Sequence, residues 1–196
     1  MAEFGYHADG GGTAKQISTF HYFCKFQAPA NGNVTSIAWY LEGFNVGLKV
    51  AIWDAALALL GQGTGSKVAD GWTTVTLDAP VAITGGQDYW LGGRTEDGST
   101  SCFYVVGDAG QGDYKTDSYA NFPCDPMGGE SSAARKFSVY ATYTEEATTT
   151  TTTTSTTTTT STTTTTSTTT TTSTTTTTST TTVSYTHLTL PTILLV

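Results

Sequence analysis

The chain is poor in basic residues and has no long apolar run. Its 196 residues include 8 Lys and Arg against 16 Asp and Glu, which gives a formal charge of −8. Nucleic acids and anionic membranes are bound through clustered Lys and Arg, which this acidic chain lacks. No segment approaches the roughly 20 apolar residues of a membrane-spanning helix. We therefore expect no nucleic-acid partner and no insertion into a membrane.

Cysteine is also scarce, with three residues at positions 24, 102 and 124. They form no CxxC pair, and with His7 and His21 they make no spacing typical of a zinc site. Cys102 and Cys124 can form one disulfide, or both can remain thiols. We expect no metal centre built on cysteine and histidine.

Catalytic signatures are missing too. The sequence contains no GxSxG, HExxH or Walker loop, no paired acid and base motif, and no Cys and His pair near the predicted turns. The amino terminus, MAEFGYHADGGG, has neither the basic nor the apolar region of a signal peptide, so either export works otherwise or the start is not native. The expectation is a protein that is not an enzyme and needs no cofactor.

Composition divides the chain into three parts. All charged residues precede residue 148, so residues 1–147 form the predicted folded domain, which is large enough to bury a core. Residues 148–182 are only Thr and Ser, which predicts a disordered spacer or an O-glycosylated stalk, with a β-aggregating segment as the alternative. Residues 183–196 begin VSYTHLTLPT, which resembles the translation of a sequencing-library adapter and not natural protein.

Within residues 1–147, short β-branched and aromatic runs alternate with Gly, Asn, Asp and Pro, and no helical period is sustained. This pattern predicts an all-β, two-sheet antiparallel sandwich. WDAALALL, residues 53–60, has helix formers, but we interpret it as a strand, a turn at Asp54 to Ala56 and a second strand. The eight predicted strands are Ser18–Gln27, Asn33–Leu41, Leu48–Trp53, Leu57–Gly61, Gly71–Leu77, Asp88–Arg94, Cys102–Gly107 and Lys136–Tyr143.

Alternation within these strands predicts which side chains form the core. Cys24 alternates with aromatic residues, which indicates a buried thiol, whereas His21 falls on the opposite face and is predicted to be exposed, as is His7 in the Gly-rich lead-in. Trp53 and Trp72 flank turns at the predicted edge of the core. The other predicted core positions are Ile37, Trp39, Leu41, Leu48, Val50, Ile52, Phe137, Val139, Ala141 and Tyr143.

The order of motifs resembles that of a known kind of module. The motifs are FQAPANGNVTSIAWYL, KVAIWDA, GWTTVTL, PVAITGGQDYWLGG, SYANFP and KFSVYATY, within Phe4 to Tyr143. Their series is similar to uncharacterised jelly-roll-like sandwich modules of secreted, cell-surface and phage structural proteins of prokaryotes. The resemblance implies the fold and an accessory or display role, often beside carbohydrate-active or adhesive domains, and it brings no catalytic signature.

The stretch Gly107 to Pro126 is the predicted ligand-binding loop. It combines aromatic, amide and carboxylate side chains, the mixture that stacks on sugar rings and orients their hydroxyls. Alternatively, Tyr119 and Phe122 plug one end of the core. The candidate ligand-binding residues are Tyr114, Tyr119, Asp113, Asp117 and Asn121.

Two further sites stay open, a calcium site and an N-glycosylation site. Asp108, Asp113, Asp117 and Asp125 supply hard oxygen ligands that suit calcium, although their spacing matches no calcium loop. Asn33 begins an Asn-Val-Thr sequon beside a turn, a possible N-glycosylation site.

The sequence as a whole predicts a non-catalytic extracellular or virion-surface module for adhesion or glycan recognition, displayed on a Thr-rich stalk. Its expected partner is a glycan or another surface ligand. Two alternatives remain: an ancillary domain of a secreted enzyme whose catalytic part is missing, and a structural fibre or coat component.

Overall fold

The computed structural model describes residues 1–9, 11–17, 19–96, 99–128 and 131–146. All of them lie within one compact unit, Met1–Glu146. The Thr-rich stretch 148–182 and the adapter-like residues 183–196 lie outside the described residues. The predictions of a stalk, of a disordered tail and of an adapter-derived end therefore stay predictions.

Thirteen strands among the described residues form two antiparallel sheets, which confirms the predicted all-β sandwich. No α-helix occurs in the described part of the chain, so none there is long and apolar enough to cross a membrane. The larger sheet has the order β1-β13-β4-β9-β12, with β7 paired to β4 and β2 to β9, and the smaller has the order β11-β10-β3-β8-β5-β6. The strands are β1 (Ala2–Tyr6), β2 (Thr13–Gln16), β3 (Phe20–Gln27), β4 (Gly32–Glu42), β5 (Gly47–Asp54), β6 (Leu59–Ser66), β7 (Gly71–Ile83), β8 (Asp88–Thr95), β9 (Ser101–Val106), β10 (Gly112–Thr116), β11 (Ser131–Ala133), β12 (Arg135–Phe137) and β13 (Val139–Glu145).

The main core lies between the two sheets, because each strand turns alternate residues inward. Trp39 from the larger sheet and Ile52 from the smaller are both fully buried in it. Cys24 is buried there as well, which confirms the predicted interior thiol. The other predicted core positions are buried too: Ile37, Leu41, Leu48, Val50, Phe137, Val139, Ala141 and Tyr143.

At one corner the two sheets approach closely through glycines of β6. A Cβ at Gly63 would lie 2.3 Å from the carbonyl oxygen of Thr76 on β7, and one at Gly61 would lie 2.4 Å from a methyl group of Val81. Since real Cβ atoms do not approach other atoms so closely, glycine is needed at these alternate positions. The Gly-rich sequence of β6 therefore serves packing against β7.

The WDAALALL prediction is confirmed, since β5 ends at Asp54 and β6 begins at Leu59. The Asp54 carbonyl accepts a bond from the Leu57 amide at 3.1 Å, and its carboxylate accepts one from the Ala58 amide at 2.9 Å. Leu57 has a φ of +70°, a left-handed conformation that this turn imposes on a non-glycine residue.

The strand count was wrong in places. Sequence patterns missed β1, β2, β10 and β11, which are three to five residues long and too short to show a period. The predicted last strand is two strands, β12 and β13, separated at Ser138, where the chain passes from pairing with β9 to pairing with β4.

The predicted exposure of His21 was also wrong. Its side chain does lie on the outer face of β3, but the ring is completely buried. Ring atom Nε2 lies 3.1 Å from the carbonyl oxygen of Ser118, and the ring packs edge-on against Phe122 at 5.0 Å. Residues that follow β10 therefore cover the outer face of the smaller sheet, which strand alternation alone does not reveal.

Candidate functional site

Much of the predicted binding loop lies across the outer face of the smaller sheet. We call residues 117–128, which follow β10, the covering segment. Phe122 and Met127 of this segment are each 2% exposed and pack in a second apolar cluster with Phe23, Trp53 and Trp90 of the sheet. The indole N–H of Trp53 donates to the Cys124 carbonyl at 2.8 Å. The covering segment gives the smaller sheet a second, thinner core outside the main one.

The structure brings three of the five predicted ligand-binding residues together in the covering segment. Asp117 accepts from the side-chain amide of Asn121 at 2.7 Å and from the Ser118 amide at 2.8 Å. These bonds, the side-chain bond first, lower the pKa of Asp117. The carboxylate and amide that were predicted to orient sugar hydroxyls thus bond to each other within the turn.

Lys49 of β5 holds the same turn against the sheet. Its amino group donates to the carbonyl oxygens of Tyr119 at 3.1 Å and Phe122 at 3.2 Å, and it lies 4.6 Å from the centre of the Tyr119 ring. Burial, followed by the nearby Glu96 carboxylate, raises the pKa of Tyr119. One face of the Tyr119 ring is therefore occupied by a cation of the same chain.

The other two predicted residues lie on β10, which precedes this turn. Tyr114 pairs with Tyr22 of β3, packs edge-on against Phe20 at 5.4 Å and lies 5.3 Å from the guanidinium group of Arg135. It is packed against the main core, whereas Asp113 beside it pairs with Phe23. The five residues do not form one common surface.

The four aspartates considered for calcium do not converge. Asp108 lies in the turn before β10, where its amide bonds to the Gln111 side chain, and an oxygen of Asp125 accepts from the Leu59 amide at 3.4 Å. Among the described residues, no group of three or more His, Cys, Asp or Glu is placed to hold a metal. The described residues thus give the calcium interpretation no support, and it stays a prediction.

Cys102 and Cys124 lie in different apolar clusters. Cys102 is buried in the main core, and Cys124, a residue of the covering segment, packs beside the second cluster. The disulfide that the sequence left open is not formed in the structure. Asn33 lies half-buried in β4 between Ala82 of β7 and Thr144 of β13, and its glycosylation stays a prediction.

A polar cavity of about 360 Å³ lies beside the turn that precedes β10. Lys25, Gln27, Asp88, Asp108 and Gln111 contribute to its wall. The Gln27 side chain donates to the Gly86 carbonyl at 3.0 Å, and that of Gln111 accepts from the Asp108 amide at 3.1 Å. Both amides are therefore engaged within the protein, and Phe26 is the aromatic residue in the wall.

Sequence reasoning missed a group of aromatic side chains on the outer face of the larger sheet. We call Tyr40, Trp72 and Tyr140, with His7 stacked beside them, the aromatic patch. Tyr40 of β4 pairs with Trp72 of β7, and their rings are nearly perpendicular at 5.6 Å. The rings of Trp72 and Tyr140 lie 4.8 Å apart, and that of His7 is stacked on Tyr140 at 4.1 Å. The three aromatic side chains from adjacent strands are partly exposed, and His7 is exposed.

A small residue at the centre of the patch lets these rings meet. Ala38 of β4 lies between Tyr140 of β13 and Thr74 of β7 in the cross-strand register. A methyl side chain there leaves room above the sheet for the Tyr140 ring to reach Trp72. Phe103, only 8% exposed, supports the other side by packing edge-on against Tyr40 at 5.7 Å.

Carboxylates surround the aromatic patch. Asp9 accepts from the indole N–H of Trp72 at 2.8 Å, and Glu3 lies 3.7 Å from His7. Burial raises the pKa of Tyr40, and the carboxylates of Glu42 and Asp9 raise it further. The patch therefore combines apolar ring surface with hydrogen-bond acceptors and a local negative charge.

Two signals for this patch were present in the sequence. Trp72 and Tyr140 stand at polar-face positions of their strands, since Thr73 and Val139 next to them point inward. An aromatic residue on an outer face indicates a candidate binding surface. Only the pairing of β4 with both β7 and β13 shows that Tyr40, Trp72 and Tyr140 are neighbours.

Comparison with known proteins places the chain in a family. No curated protein matches it. A family model described as "Domain of unknown function (DUF4082)" matches residues 24–127, slightly more than half of the chain. The match spans β4 to β10, most of the covering segment, and Tyr40 and Trp72 of the aromatic patch. The chain therefore belongs to the DUF4082 family.

Proposed function

We propose that this domain is a non-catalytic module that binds glycans through the aromatic patch. The observation that carries the proposal is the meeting of Tyr40, Trp72 and Tyr140, from three adjacent strands, on an outer sheet face. Partly exposed aromatic rings supply the apolar surface on which a sugar ring stacks, and nearby carboxylates accept bonds from its hydroxyls.

The charge around the patch favours neutral glycans. The charged groups that raise the pKa of Tyr40 are Glu42, Asp9 and Asp70, all carboxylates. Glu3 raises the pKa of Tyr140 in the same way. A sulfated or uronic-acid sugar would be repelled there, since like charges at short distance disfavour binding. Contact with one or two sugar units gives weak binding, with a Kd of about millimolar to micromolar.

The wider role that we propose is adhesion or display outside the cell or on a virion surface. Residues 148–182 would serve as a spacer that holds the domain away from what it is attached to. An extended chain of that length reaches on the order of 100 Å. A weak single site of this kind becomes effective when many copies act together on one surface.

The full chain on a glycan array, followed by calorimetric titration of the best ligand, tests the proposal. Trp72→Ala and Tyr140→Ala should each weaken binding by about tenfold or more, the effect of losing roughly 1.4 kcal/mol. Tyr119→Ala in the covering segment is the matched control and should bind as the parent does. Each variant is first shown to keep the circular dichroism spectrum of the parent.

Two results would count against the proposal. One is the absence of any glycan ligand across neutral, amino and acidic sugars. The other is a ligand whose binding is lost in Tyr119→Ala and kept in Trp72→Ala, which would move the site to the covering segment.

A further inference from the structure

Four basic side chains form one row across the smaller sheet. Lys115 of β10 pairs with His21 of β3, and Lys49 of β5 pairs with Arg94 of β8. The pairing of Tyr22 with Gly93 makes His21 and Arg94 the next neighbours in register. Because strand residues alternate, the row lies on the outer face, together with Phe23 and Ala51 of the second cluster.

Such a row is costly because it places basic side chains next to one another. The chain has only 8 Lys and Arg, and three of them stand side by side here with a histidine between two of them. Like charges directly opposite one another on neighbouring strands destabilise a sheet unless an opposite charge offsets them. An anionic partner near the row would therefore stabilise it.

The chain itself offsets only part of the positive charge of this row. Lys49 is bonded to carbonyl oxygens of the covering segment, and Lys115 lies 3.9 Å from an oxygen of Asp117. The other oxygen of Asp117 already accepts two bonds within its own turn. Asp117 raises the pKa of Arg94, against the lowering by burial, and Asp113 of β10 and Glu96, which follows β8, are further carboxylates on this face among the described residues.

The two central residues of the row have buried polar atoms that make no hydrogen bond within the described part of the chain. His21 is fully buried and Arg94 is 6% exposed. Nδ1 of His21 and both Nε and Nη1 of Arg94 have no hydrogen-bond partner among the described residues. A buried guanidinium group that lacks partners costs more free energy than most buried groups, because its charge is also removed from water.

We propose that Arg94 and His21 form the floor of a binding site for one small oxyanion, a sulfate, phosphate or carboxylate group, beneath the covering segment. The oxyanion accepts bonds from the unpartnered N–H groups of Arg94 and from the protonated ring of His21. Guanidinium groups suit this chemistry, since their planar donors match the oxygens of such anions. Asp117 competes with the ligand for the same positive charge.

This site is separate from the aromatic patch in place and in chemistry. The patch lies on the larger sheet amid carboxylates, whereas the basic row lies on the smaller sheet. An oxyanion here would also stabilise the covering segment, because a ligand that binds only the folded state raises its stability.

Thermal unfolding of the full chain in increasing sulfate tests the site, with chloride at matched ionic strength as the reference. The melting temperature should rise with the logarithm of the sulfate concentration once this exceeds the Kd, by about 4 °C near ten times the Kd. The rise should be larger at pH 5.5 than at pH 7.5, because a protonated His21 donates to the anion. Arg94→Met should remove this response.

Lys25→Met is the matched control, since Lys25 lies on the same face of β3 outside the row and should leave the response intact. Asp117→Asn should act in the opposite direction and tighten sulfate binding by roughly threefold to tenfold. If Arg94→Met does not fold, imidazole NMR of the parent remains decisive: sulfate should shift the titration of His21 to higher pH.

Glucuronate in place of sulfate shows whether the bound oxyanion is part of an acidic sugar or is a free inorganic ion. A rise of the same logarithmic form with glucuronate identifies an acidic sugar as the ligand class, and a rise with sulfate or phosphate alone identifies a free inorganic anion. The proposal is overturned if Arg94→Met responds to sulfate as the parent does, or if no oxyanion changes either the melting temperature or the His21 titration.

Discussion

The indole N–H of Trp72 donates to the carboxylate of Asp9 across 2.8 Å, between β7 and the segment that follows β1. This bond fixes the indole on the outer face of the larger sheet, where its ring meets Tyr140 at 4.8 Å. A partly exposed tryptophan that is held in place by a carboxylate is prepared for stacking, since little side-chain freedom is lost when a ligand binds.

The reactivity of the three cysteines follows from their burial. Burial raises the pKa of the Cys24 thiol to about 12 and also raises that of Cys102, so neither forms the reactive thiolate near neutral pH. Cys124 is partly exposed. Ellman's reagent should therefore titrate one thiol in the native protein and three in denaturant. A count of one in denaturant would instead indicate a disulfide.

Stability should fall with acid because of His21. Burial, with Arg94 and Lys115 nearby, lowers the pKa of His21 below its usual 6.5, although the Ser118 carbonyl and Asp117 oppose this shift. A lowered folded-state pKa means that the unfolded chain binds the proton more readily, so this contribution is present above pH 6.5 and is lost as the pH falls through the folded-state value.

Urea unfolding between pH 5 and 8, in buffer without sulfate or phosphate, measures this dependence. His21→Gln should flatten the profile. An unchanged profile in His21→Gln would show that other groups cause the acid sensitivity.

How much the sequence predicts depends on the range of the interactions involved. The alternation of Leu48, Val50 and Ile52 is local and predicted both strand and core correctly. The burial of His21 depends on Phe122, about a hundred residues later, which crosses the outer face. The aromatic patch likewise depends on strand pairing between residues far apart, so Trp72 alone looked like the edge of the core.

The glycines of β6 offer a test of the corner packing. Gly63→Ala places a methyl group where the carbonyl oxygen of Thr76 now lies, and forcing the strands apart should cost about 1–3 kcal/mol. Gly11→Ala is the control, because a Cβ there meets nothing within 4 Å. Denaturant unfolding compares the two, and equal stability of both variants would contradict the proposed reason for glycine in β6.

Phe122 should be the main anchor of the covering segment. It is 2% exposed and packs between His21, Phe23 and Trp53, so Phe122→Ala should lower the free energy of unfolding by about 3 kcal/mol. Val106→Ala, which truncates an 85% exposed side chain, should change it by no more than about 0.5 kcal/mol. Chemical denaturation that finds a loss below about 1 kcal/mol for Phe122→Ala would mean that the segment contributes little to folding.

The four tryptophans provide the most direct test of glycan binding at the aromatic patch. Trp39 lies in the main core, Trp53 and Trp90 lie under the covering segment, and Trp72 lies in the patch. Two-dimensional NMR of their indole N–H groups, recorded while the glycan ligand is added, reports which surface it contacts. We predict that the Trp72 signal shifts in a saturable way while the other three stay in place. A shift of the Trp53 or Trp90 signal with an unmoved Trp72 would contradict the account.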